Sequence, residues 1–312
     1  MVPVLQCSQT FSFSERKQLL VNGIHYTLQS ANPSIFRSAQ GLMLNTRWIN
    51  TAYTETGVLE NTAKPFISAN SLVRLDNDLM PCSKQVPYAE LWNTHIGQWA
   101  IGLQDVRFFY HEDTVFFLAA KPVGKKVEQV FGSCRQSNTQ YLSEHQIISP
   151  TFPNPVGPVE KNWVFFPQGP NLSIIHSWYP LSICSINEDT HQLIKTQTIA
   201  TPAVFKSFRG STSSFRLGDN HAFVVHTVSK TMTSERQQLL TYRHRIVMLA
   251  NSGHPIRYSE PFKFGHKNIE YCLGAIRKGN NILLSGSIQD ATCCIWIIEE
   301  DELQNQLQWF DL

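Results

Sequence analysis

The stretch Lys278-Gly-Asn-Asn-Ile-Leu-Leu-Ser-Gly-Ser287 carries the pattern that decides the fold. Its glycine and asparagines favour a tight turn, and the apolar run Ile282–Ser287 that follows is typical of a buried strand. The same order recurs where Gly218-Asp219-Asn220 precedes the run His221–Val228. A turn followed by a short apolar strand, repeated along the chain, predicts a fold built from β-hairpins.

Other short runs show the same β character, with period-two alternation or clusters of β-branched and aromatic residues. Helical periodicity is weak, and the best candidate is a short helix over Ser14–Val21 with Ser14 as its N-cap. For the terminal stretch Glu299–Leu312, a closing strand and a short helix are both open. The further predicted strands are Gly41–Asn50, Val106–Leu118, Trp163–Phe166, Leu172–Ser177 and Arg245–Leu249.

Polar residues lie beside pairs of predicted strands at five places along the chain, with starts 45 to 67 residues apart. This spacing is close to the size of a four-stranded propeller blade, and five blades of about 62 residues use all 312 residues. No Gly/Ser-rich or Pro-rich linker divides the chain. We therefore predict an all-β, five-bladed β-propeller in a single domain, 1–312, in which residues 1–30 lead into the first blade. A β-sandwich is the alternative. The five repeats are 32–53, 99–120, 160–181, 205–228 and 266–290.

Composition excludes several classes of protein. The formal net charge is +2 and only 16% of residues are charged, which argues against a nucleic-acid partner or an anionic membrane surface. The longest apolar runs are far shorter than the roughly 18 residues of a membrane span. The N-terminus has no signal-peptide pattern, and the seven cysteines lack CxxC spacing. These features predict reduced thiols and a cytoplasmic location.

Motifs for nucleotide cofactors, serine nucleophiles and metals are missing from the sequence. It contains no GxGxxG, GxxxxGK[ST], GxSxG or HExxH pattern, and its His and Cys residues lack metal-ligand spacing. We therefore predict neither a cofactor nor a metal. The chemistry must come from polar side chains at the predicted strands.

Each predicted blade offers a polar motif at an apolar strand, and each motif has a plain structural alternative. Arg47 lies inside an alternating strand, where it either meets an anion or faces solvent. Asp105 and Arg107 share a strand face by the i, i+2 rule, as a catalytic or a structural pair. Glu160-Lys161-Asn162-Trp163 is either a site or an ordinary charge pair on a blade edge. Asp290 follows a turn and is either a second carboxylate or turn chemistry.

A fourth blade motif, Phe208-Arg209-Gly210-Ser211-Thr212, is followed by His226 and by Tyr242-Arg243-His244. Arg, His and Tyr side chains can all donate to phosphate oxygens, and Arg does so bidentately. A histidine is more often a satisfied structural group, so His226 counts only because two other polar motifs lie near it.

Taken in order, these motifs resemble the mannoside phosphorylases of glycoside hydrolase family 130 and the β-1,2-mannosyltransferase/phosphorylases of glycosyltransferase family 108. The likeness runs from Asn32 to Asp290. Its pieces are NPSI with Arg47 and Asn50, then GLQDVR, EKNW, FRGST, the VH ending in His226, TYRH, IEYCLG and SGSIQD. That family has a five-bladed propeller fold.

The resemblance implies that Asp105 is the general acid of an inverting, single-displacement reaction at a β-mannosidic bond. The implied partners are a mannose-containing oligosaccharide with phosphate or mannose 1-phosphate; oligomeric state is left open. The implied phosphate-binding and anion-binding residues are Arg47, Lys161, Arg209, His226 and Tyr242. The implied sugar-binding or supporting residues are Asn50, Arg107, Asn162, Trp163 and Asp290.

Two departures from the family pattern flank the candidate acid. The family's usual Glu and Pro are Gln104 and Val106 here, which removes a like charge beside Asp105 and indicates retuned, changed or lost activity. Two alternatives therefore stay open. One is a GDP-mannose-dependent β-mannosyltransferase of the same fold, since its donor is also anionic, and the other is a non-catalytic propeller that binds glycans or proteins.

Overall fold

Five antiparallel sheets arranged in a ring make a five-bladed β-propeller, as predicted. The computed structural model describes residues 2–312 apart from 22, 55–57, 61–64, 88–99, 137–140, 148, 151–158, 169–170, 188, 233–237 and 266. Residues 99 and 266, at the starts of two predicted repeats, lie outside the described residues. No helix in the described ranges is both long enough and apolar enough to span a membrane.

The described residues form 27 strands, one α-helix, α1 (Glu300–Gln306), and a 3₁₀ turn at Ala203–Ser207. The strands in chain order are β1 (Gln9–Phe13), β2 (Arg16–Val21), β3 (Ile24–Ser38), β4 (Gly41–Ile49), β5 (Ala52–Tyr53), β6 (Leu59–Glu60), β7 (Phe66–Leu75), β8 (Val86–Pro87), β9 (Ala100–Ile101), β10 (Gln104–His111), β11 (Thr114–Val123), β12 (Lys126–Gln136), β13 (Tyr141–Ile147), β14 (Ser149–Pro150), β15 (Val164–Gln168), β16 (Asn171–Trp178), β17 (Leu181–Asn187), β18 (Gln192–Ile199), β19 (Arg209–Gly210), β20 (Phe215–Leu217), β21 (Asn220–Met232), β22 (Gln238–Leu249), β23 (Pro255–Ser259), β24 (Glu270–Lys278), β25 (Asn281–Ile288), β26 (Thr292–Glu299) and β27 (Trp309–Asp311).

Each blade is a sheet of strands that are mostly consecutive in the chain, which is why local hairpin signals identified the fold. The first blade has the order β2-β3-β4-β7-β8, with β9 parallel to β7. The second is β10-β11-β12-β13, and the third is β15-β16-β17-β18 with β14 on its outer edge. The fourth is β21-β22-β23-β27, with the short β19 and β20 both on β21, and the fifth is β24-β25-β26-β1.

Both ends of the chain pair with strands that are not their neighbours in the sequence. Strand β1 completes the fifth blade by pairing antiparallel with β26, with Gln9 opposite Ile297. At the other end, β27 pairs with β23 of the fourth blade, with Asp311 opposite Arg257. The stretch 299–312 thus contains both a helix and a strand, but β1, not this strand, completes the fifth blade.

Two details of the predicted secondary structure were wrong. Ser14–Val21 is not a helix, because β2 pairs residue by residue with the start of β3, from Arg16 opposite Gln29 to Val21 opposite Ile24. Val106–Leu118 is two strands, β10 and β11, because the chain reverses at Glu112 and Asp113, which both have positive φ. The seven cysteines are free in this structure.

Aromatic side chains fill the spaces between blades. Phe36 of the first blade stacks on Phe108 of the second with ring centroids 4.4 Å apart. Between the second and third blades, the rings of Phe109 and Phe165 are 5.7 Å apart. Such ring pairs add to the burial of apolar area. The 11% aromatic content therefore serves the packing of the ring.

The innermost strands approach each other too closely for a side chain at one position. A Cβ placed on Gly274 of β24 would come within 2.9 Å of the backbone oxygen of Ile35 in β3. The first and fifth blades therefore meet backbone to backbone near the axis of the ring. The same two strands carry Asn32 and Tyr271, which line one cavity.

Candidate active site

A cavity of about 240 Å³ opens near the axis and is lined by residues from all five blades. Most of the lining side chains are polar or charged, which is unusual beside such apolar strands. The polar and charged members that matter for chemistry are Asn32, Arg47, Tyr53, Asp105, Lys161, Asn162, Arg209, His226, Tyr242, Tyr271 and Asp290.

Asp105 forms an ion pair with Arg47 across the junction of the first two blades. Arg47 Nη1 lies 2.8 Å from Asp105 Oδ1, and both side chains are mostly buried. The register of β10 is irregular between Gln104 and Arg107. Arg107 donates to the backbone oxygen of Asp105, while the carboxylate pairs with Arg47. The charge of Arg107 nevertheless lowers the pKa of Asp105, as the i, i+2 reasoning expected.

Arg47 is itself fixed in place by hydrogen bonds. Its Nε donates to Ser68 Oγ at 2.7 Å, and Ser68 Oγ donates in turn to the carbonyl oxygen of Leu103 at 2.6 Å. Of the two interpretations of Arg47, the structure supports contact with an anion rather than exposure to solvent. The guanidinium is oriented by the first blade and meets an anion supplied by the second.

The charges around Asp105 keep it ionised. Burial alone would raise the pKa of this carboxyl group, but Arg47, Lys161 and Arg107 together hold its pKa below the usual range. A hydrogen bond from Asn32 Nδ2 to Asp105 Oδ1, at 3.4 Å, acts in the same direction. These neighbours favour the carboxylate form of Asp105.

Four polar residues of the cavity lie in the left-handed region of backbone conformation. Their φ angles are 39° for Asn32, 52° for Asp105, 69° for Asn162 and 50° for Asp290. Such conformations are uncommon for residues other than glycine and often occur at functional sites. Here they turn the side chains of four different blades towards one cavity.

Lys161 and Arg209 add positive charge to the cavity, and Asp105 is a described acidic group that acts on Lys161. Neither side chain has an ion-pair or hydrogen-bond partner among the described residues, and both line the cavity. Burial, together with the charges of Arg209, Arg107 and Arg47, lowers the pKa of Lys161, although Asp105 opposes this. Mutual repulsion of cations at one place favours binding of an anion.

His226 lies next to these cations as a neutral imidazole. Burial, His244 and the nearby cations hold its pKa well below 6.5. Its Nδ1 is 2.7 Å from Ser211 Oγ. If Ser211 donates this hydrogen bond, the proton of the neutral ring lies on Nε2, where it can serve an anion.

A second carboxylate, Asp290, lines the same cavity with the opposite pKa shift. Burial raises its pKa, and the charge of Asp105 raises it further, while Arg47 opposes both. Burial and the charge of Asp290 in turn raise the pKa of Tyr53 and Tyr242, which line the cavity as neutral phenols.

The structure brings eight of the eleven predicted site residues into this cavity. They are Arg47, Asp105, Lys161, Asn162, Arg209, His226, Tyr242 and Asp290. Their individual roles remain predictions.

The other three predicted residues do not line the cavity. Arg107 is 1% exposed, and its guanidinium donates to the carbonyl oxygens of Asp105, Gly210 and Ser211, among other groups. Asn50 binds the backbone of Pro65 and Ile67. Trp163 is buried, with its indole Nε1 donating to Glu160 Oε2 at 3.1 Å. These hydrogen bonds indicate that the three side chains support the backbone and side chains around the cavity.

Sequence reasoning did not assign roles to Asn32, Tyr53 and Tyr271, which all line the cavity. Asn32 and Tyr271 lie in the NPSI and IEYCLG motifs, so a signal for them was present. Tyr271 accepts a hydrogen bond from Arg107 at 2.6 Å and lies edge-on to His226. Tyr53 follows the first-blade strands on the short β5, and no motif pointed to it.

No family model and no curated protein sequence matches this chain. Solved structures do match it. They include a β-1,2-mannobiose phosphorylase and a structure from the GH130 family of mannoside phosphorylases, which contains glycoside hydrolases that target β-1,2-mannosidic linkages in Candida mannan. The β-1,2-mannobiose phosphorylase of Listeria innocua is 14% identical with a TM-score of 0.61, over 94% of this chain and 99% of that one.

Two proteins of Leishmania mexicana have the same fold. A mannose phosphorylase, solved with a phosphate ion, is 10% identical with a TM-score of 0.52, over 96% of this chain and 92% of that one. A GDP-Man-dependent mannosyltransferase is also 10% identical, with a TM-score of 0.55, over 87% and 85%. These likenesses confirm the predicted five-bladed propeller fold and its resemblance to the fold of mannoside phosphorylases and a mannosyltransferase.

Proposed function

We propose that this protein is an inverting enzyme that cleaves and forms β-mannosidic bonds, with inorganic phosphate and mannose 1-phosphate as co-substrates. β-1,2-Linked mannooligosaccharides are the substrate class, by analogy with the mannobiose phosphorylase of the same fold. The observation that carries the proposal is the pair of cations, Lys161 and Arg209, which have no hydrogen-bond or ion-pair partner within the described ranges and line one cavity with the carboxylate of Asp105.

The cations bind the phosphate and Asp105 handles the proton. In phosphorolysis, a phosphate oxygen attacks the anomeric carbon from the face opposite the glycosidic oxygen. The C–O bond breaks, and the leaving oxygen takes up a proton from Asp105, directly or through a substrate hydroxyl group as the resemblance implies. One displacement inverts the configuration, so a β-mannoside gives α-mannose 1-phosphate.

The ionised state of Asp105 fits the same reaction run in reverse. In synthesis, Asp105 acts as a base that takes the proton of the acceptor hydroxyl group, and microscopic reversibility makes it the acid in phosphorolysis. Bound phosphate adds negative charge beside Lys161 and Arg209. This offsets the cations that depress the pKa of Asp105, so phosphate itself favours the protonated form needed for cleavage.

A comparison of two donors tests the proposal. The protein is incubated with mannose 1-phosphate and a short β-1,2-mannooligosaccharide, and released phosphate is measured beside a parallel reaction with GDP-mannose. We expect phosphate release with mannose 1-phosphate and none in the Asp105→Asn variant. Asp113→Asn, at an exposed turn, is the matched control and should keep full activity.

A GDP-mannose-dependent β-mannosyltransferase is the second candidate. The same cations can bind the phosphates of a sugar nucleotide, and a GDP-Man-dependent enzyme shares the fold. Turnover with GDP-mannose but not with mannose 1-phosphate would favour this function. The absence of turnover with either donor across many acceptors would leave a binding protein.

A further inference from the structure

Two carboxyl groups, Asp105 and Asp290, lie in the same cavity with the side-chain amide of Asn32 between them. We propose that Asp290 keeps its proton in the pH range where Asp105 has already lost its own, so that the cavity carries one carboxylate charge. Asp290 is then a positioning residue whose neutral state preserves the positive field of the cavity.

A chain of hydrogen bonds fixes the orientation of the groups between the two carboxyls. Asn32 Nδ2 faces Asp105 Oδ1, because an ionised carboxylate only accepts hydrogen bonds. The amide oxygen of Asn32 therefore points the other way. It accepts a hydrogen bond from the hydroxyl group of Ser287.

Ser287 has one hydroxyl proton for two acceptors, and its contact with Asn32 Oδ1 is the shorter of the two. Yet Ser287 Oγ also lies 3.2 Å from Asp290 Oδ1. With no second proton on Ser287, an ionised Asp290 would place two bare oxygen atoms against each other. A proton on Asp290 turns this contact into a hydrogen bond in which Asp290 donates and Ser287 accepts.

Burial of Asp290 favours the same state. Arg47 lowers the pKa of Asp290 but makes its ion pair with Asp105. Burial, with the charge of Asp105, outweighs Arg47 and the hydrogen bonds of Ser287 and Asn32, so the pKa of Asp290 is raised. The titratable or charged groups that interact with Asp290 are Arg47, Tyr53, Asp105, Tyr242 and Cys293.

The neutral state matters for anion binding, a consequence that rests on the proposed function. Loss of the proton from Asp290 adds a second negative charge to a cavity in which Lys161 and Arg209 attract phosphate. Phosphate binding should therefore weaken as the pH rises through the pKa of Asp290. Asparagine at this position imitates the neutral acid, since its amide can donate to Ser287 in the same way.

Infrared titration of protein labelled with ¹³C-aspartate tests the order of proton loss without any use of activity. We expect one aspartic acid C=O band to persist above the pH at which the ordinary aspartates ionise. This band should be absent in Asp290→Asn and unchanged in Asp189→Asn, which alters an exposed carboxylate. The label separates it from the buried Glu270, whose pKa is also raised by burial.

Calorimetric titration with inorganic phosphate is the second measurement. We expect wild-type affinity to fall about tenfold more than that of Asp290→Asn across the pH range in which the band disappears. The variant corrects for the ionisation of phosphate itself. If Asp290→Asn does not fold, Asp105→Asn replaces it, and there the persisting band should vanish at a lower pH, because Arg47 is freed to act on Asp290.

The proposal is overturned if no aspartate band persists, if the band survives in Asp290→Asn, or if it keeps its pH dependence in Asp105→Asn. These outcomes do not depend on the reaction. Absence of phosphate binding with the band present would contradict the proposed function and leave the protonated state of Asp290 standing.

Discussion

Arg47 Nη1 and Asp105 Oδ1 are 2.8 Å apart, and this ion pair joins the first and second blades at the cavity. The ion pair affects the protonation state of Asp105, because Arg47 lowers the pKa of this carboxyl group. An Asp105 that is ionised at rest accepts a proton more readily than it gives one. If the proposed function holds, the direction of proton transfer at Asp105 therefore depends on what else occupies the cavity.

Asp105→Asn should lower the rate of mannoside synthesis or phosphorolysis at least about a hundredfold, because loss of a general acid or base typically costs this much. The amide has the same shape, so the fold should persist. Steady-state kinetics with circular dichroism check both statements. Activity retained at more than a tenth of the wild-type rate would remove Asp105 from its role.

Arg47→Met should raise the pKa of Asp105, since burial then acts against fewer cations. In the direction of synthesis, where Asp105 acts as the base, the acidic limb of the pH–rate profile should move to higher pH. Arg16→Met, on the exposed side of β2, is the control and should leave the profile in place. An unshifted limb in Arg47→Met would show that the titrating group is not Asp105.

The same ion pair makes stability depend on pH in the acid range. Because the pKa of Asp105 is lower in the folded than in the unfolded chain, the pair stabilises the fold above the unfolded pKa of about 3.9. This contribution is lost as the pH falls through the folded pKa. Denaturant unfolding between about pH 2 and 5 should therefore show a shallower loss of stability in Arg47→Met than in wild type.

Lys161→Gln and Arg209→Gln should each raise the KM for phosphate about tenfold or more, because charge-assisted hydrogen bonds contribute about 1.5–3 kcal/mol. Lys206→Gln alters an exposed lysine of the 3₁₀ turn and is the control. Initial rates at varied phosphate concentration give the KM for phosphate of each variant. Equal KM values for all three variants and wild type would place the anion elsewhere.

Ser211→Ala should change the proton position on His226, because Ser211 Oγ is 2.7 Å from His226 Nδ1. If Ser211 donates this hydrogen bond, its removal lets the neutral ring place its proton on Nδ1. We expect a threefold to tenfold rise in the KM for phosphate, about the value of one hydrogen bond. Nitrogen-15 NMR of labelled histidine reports the tautomer, and a spectrum identical to wild type would contradict this role.

The blade pattern could be predicted because hairpin turns and alternating strands are local signals. Gly279–Asn281 and Gly218–Asn220 each set a turn that the structure contains. The pairing of β1 with β26 could not be predicted, since it joins Gln9 to Ile297 and depends on closure of the whole ring. The short β2 was mistaken for a helix because its strand character comes from pairing with β3.

Part of the site could be predicted because charged side chains inside apolar strands are costly without a partner. That reasoning pointed to Arg47, whereas the roles of Asp105 and Lys161 were implied by the family resemblance. The resemblance also implied sugar-binding or supporting roles for Arg107 and Trp163, which do not line the cavity because their polar groups bind buried backbone and a neighbouring side chain. The left-handed backbone that points Asn32 into the cavity is a property of the closed ring, and the sequence gives no direct signal for it.

The most direct test of the proposed function is phosphorolysis of β-1,2-mannobiose with inorganic phosphate, followed by proton and phosphorus NMR. We predict that α-mannose 1-phosphate and mannose appear in equal amounts, that phosphate is consumed, and that Asp105→Asn gives neither product. Release of mannose alone, formation of the β-phosphate, or an unchanged disaccharide would contradict a phosphate-dependent inverting reaction at this site.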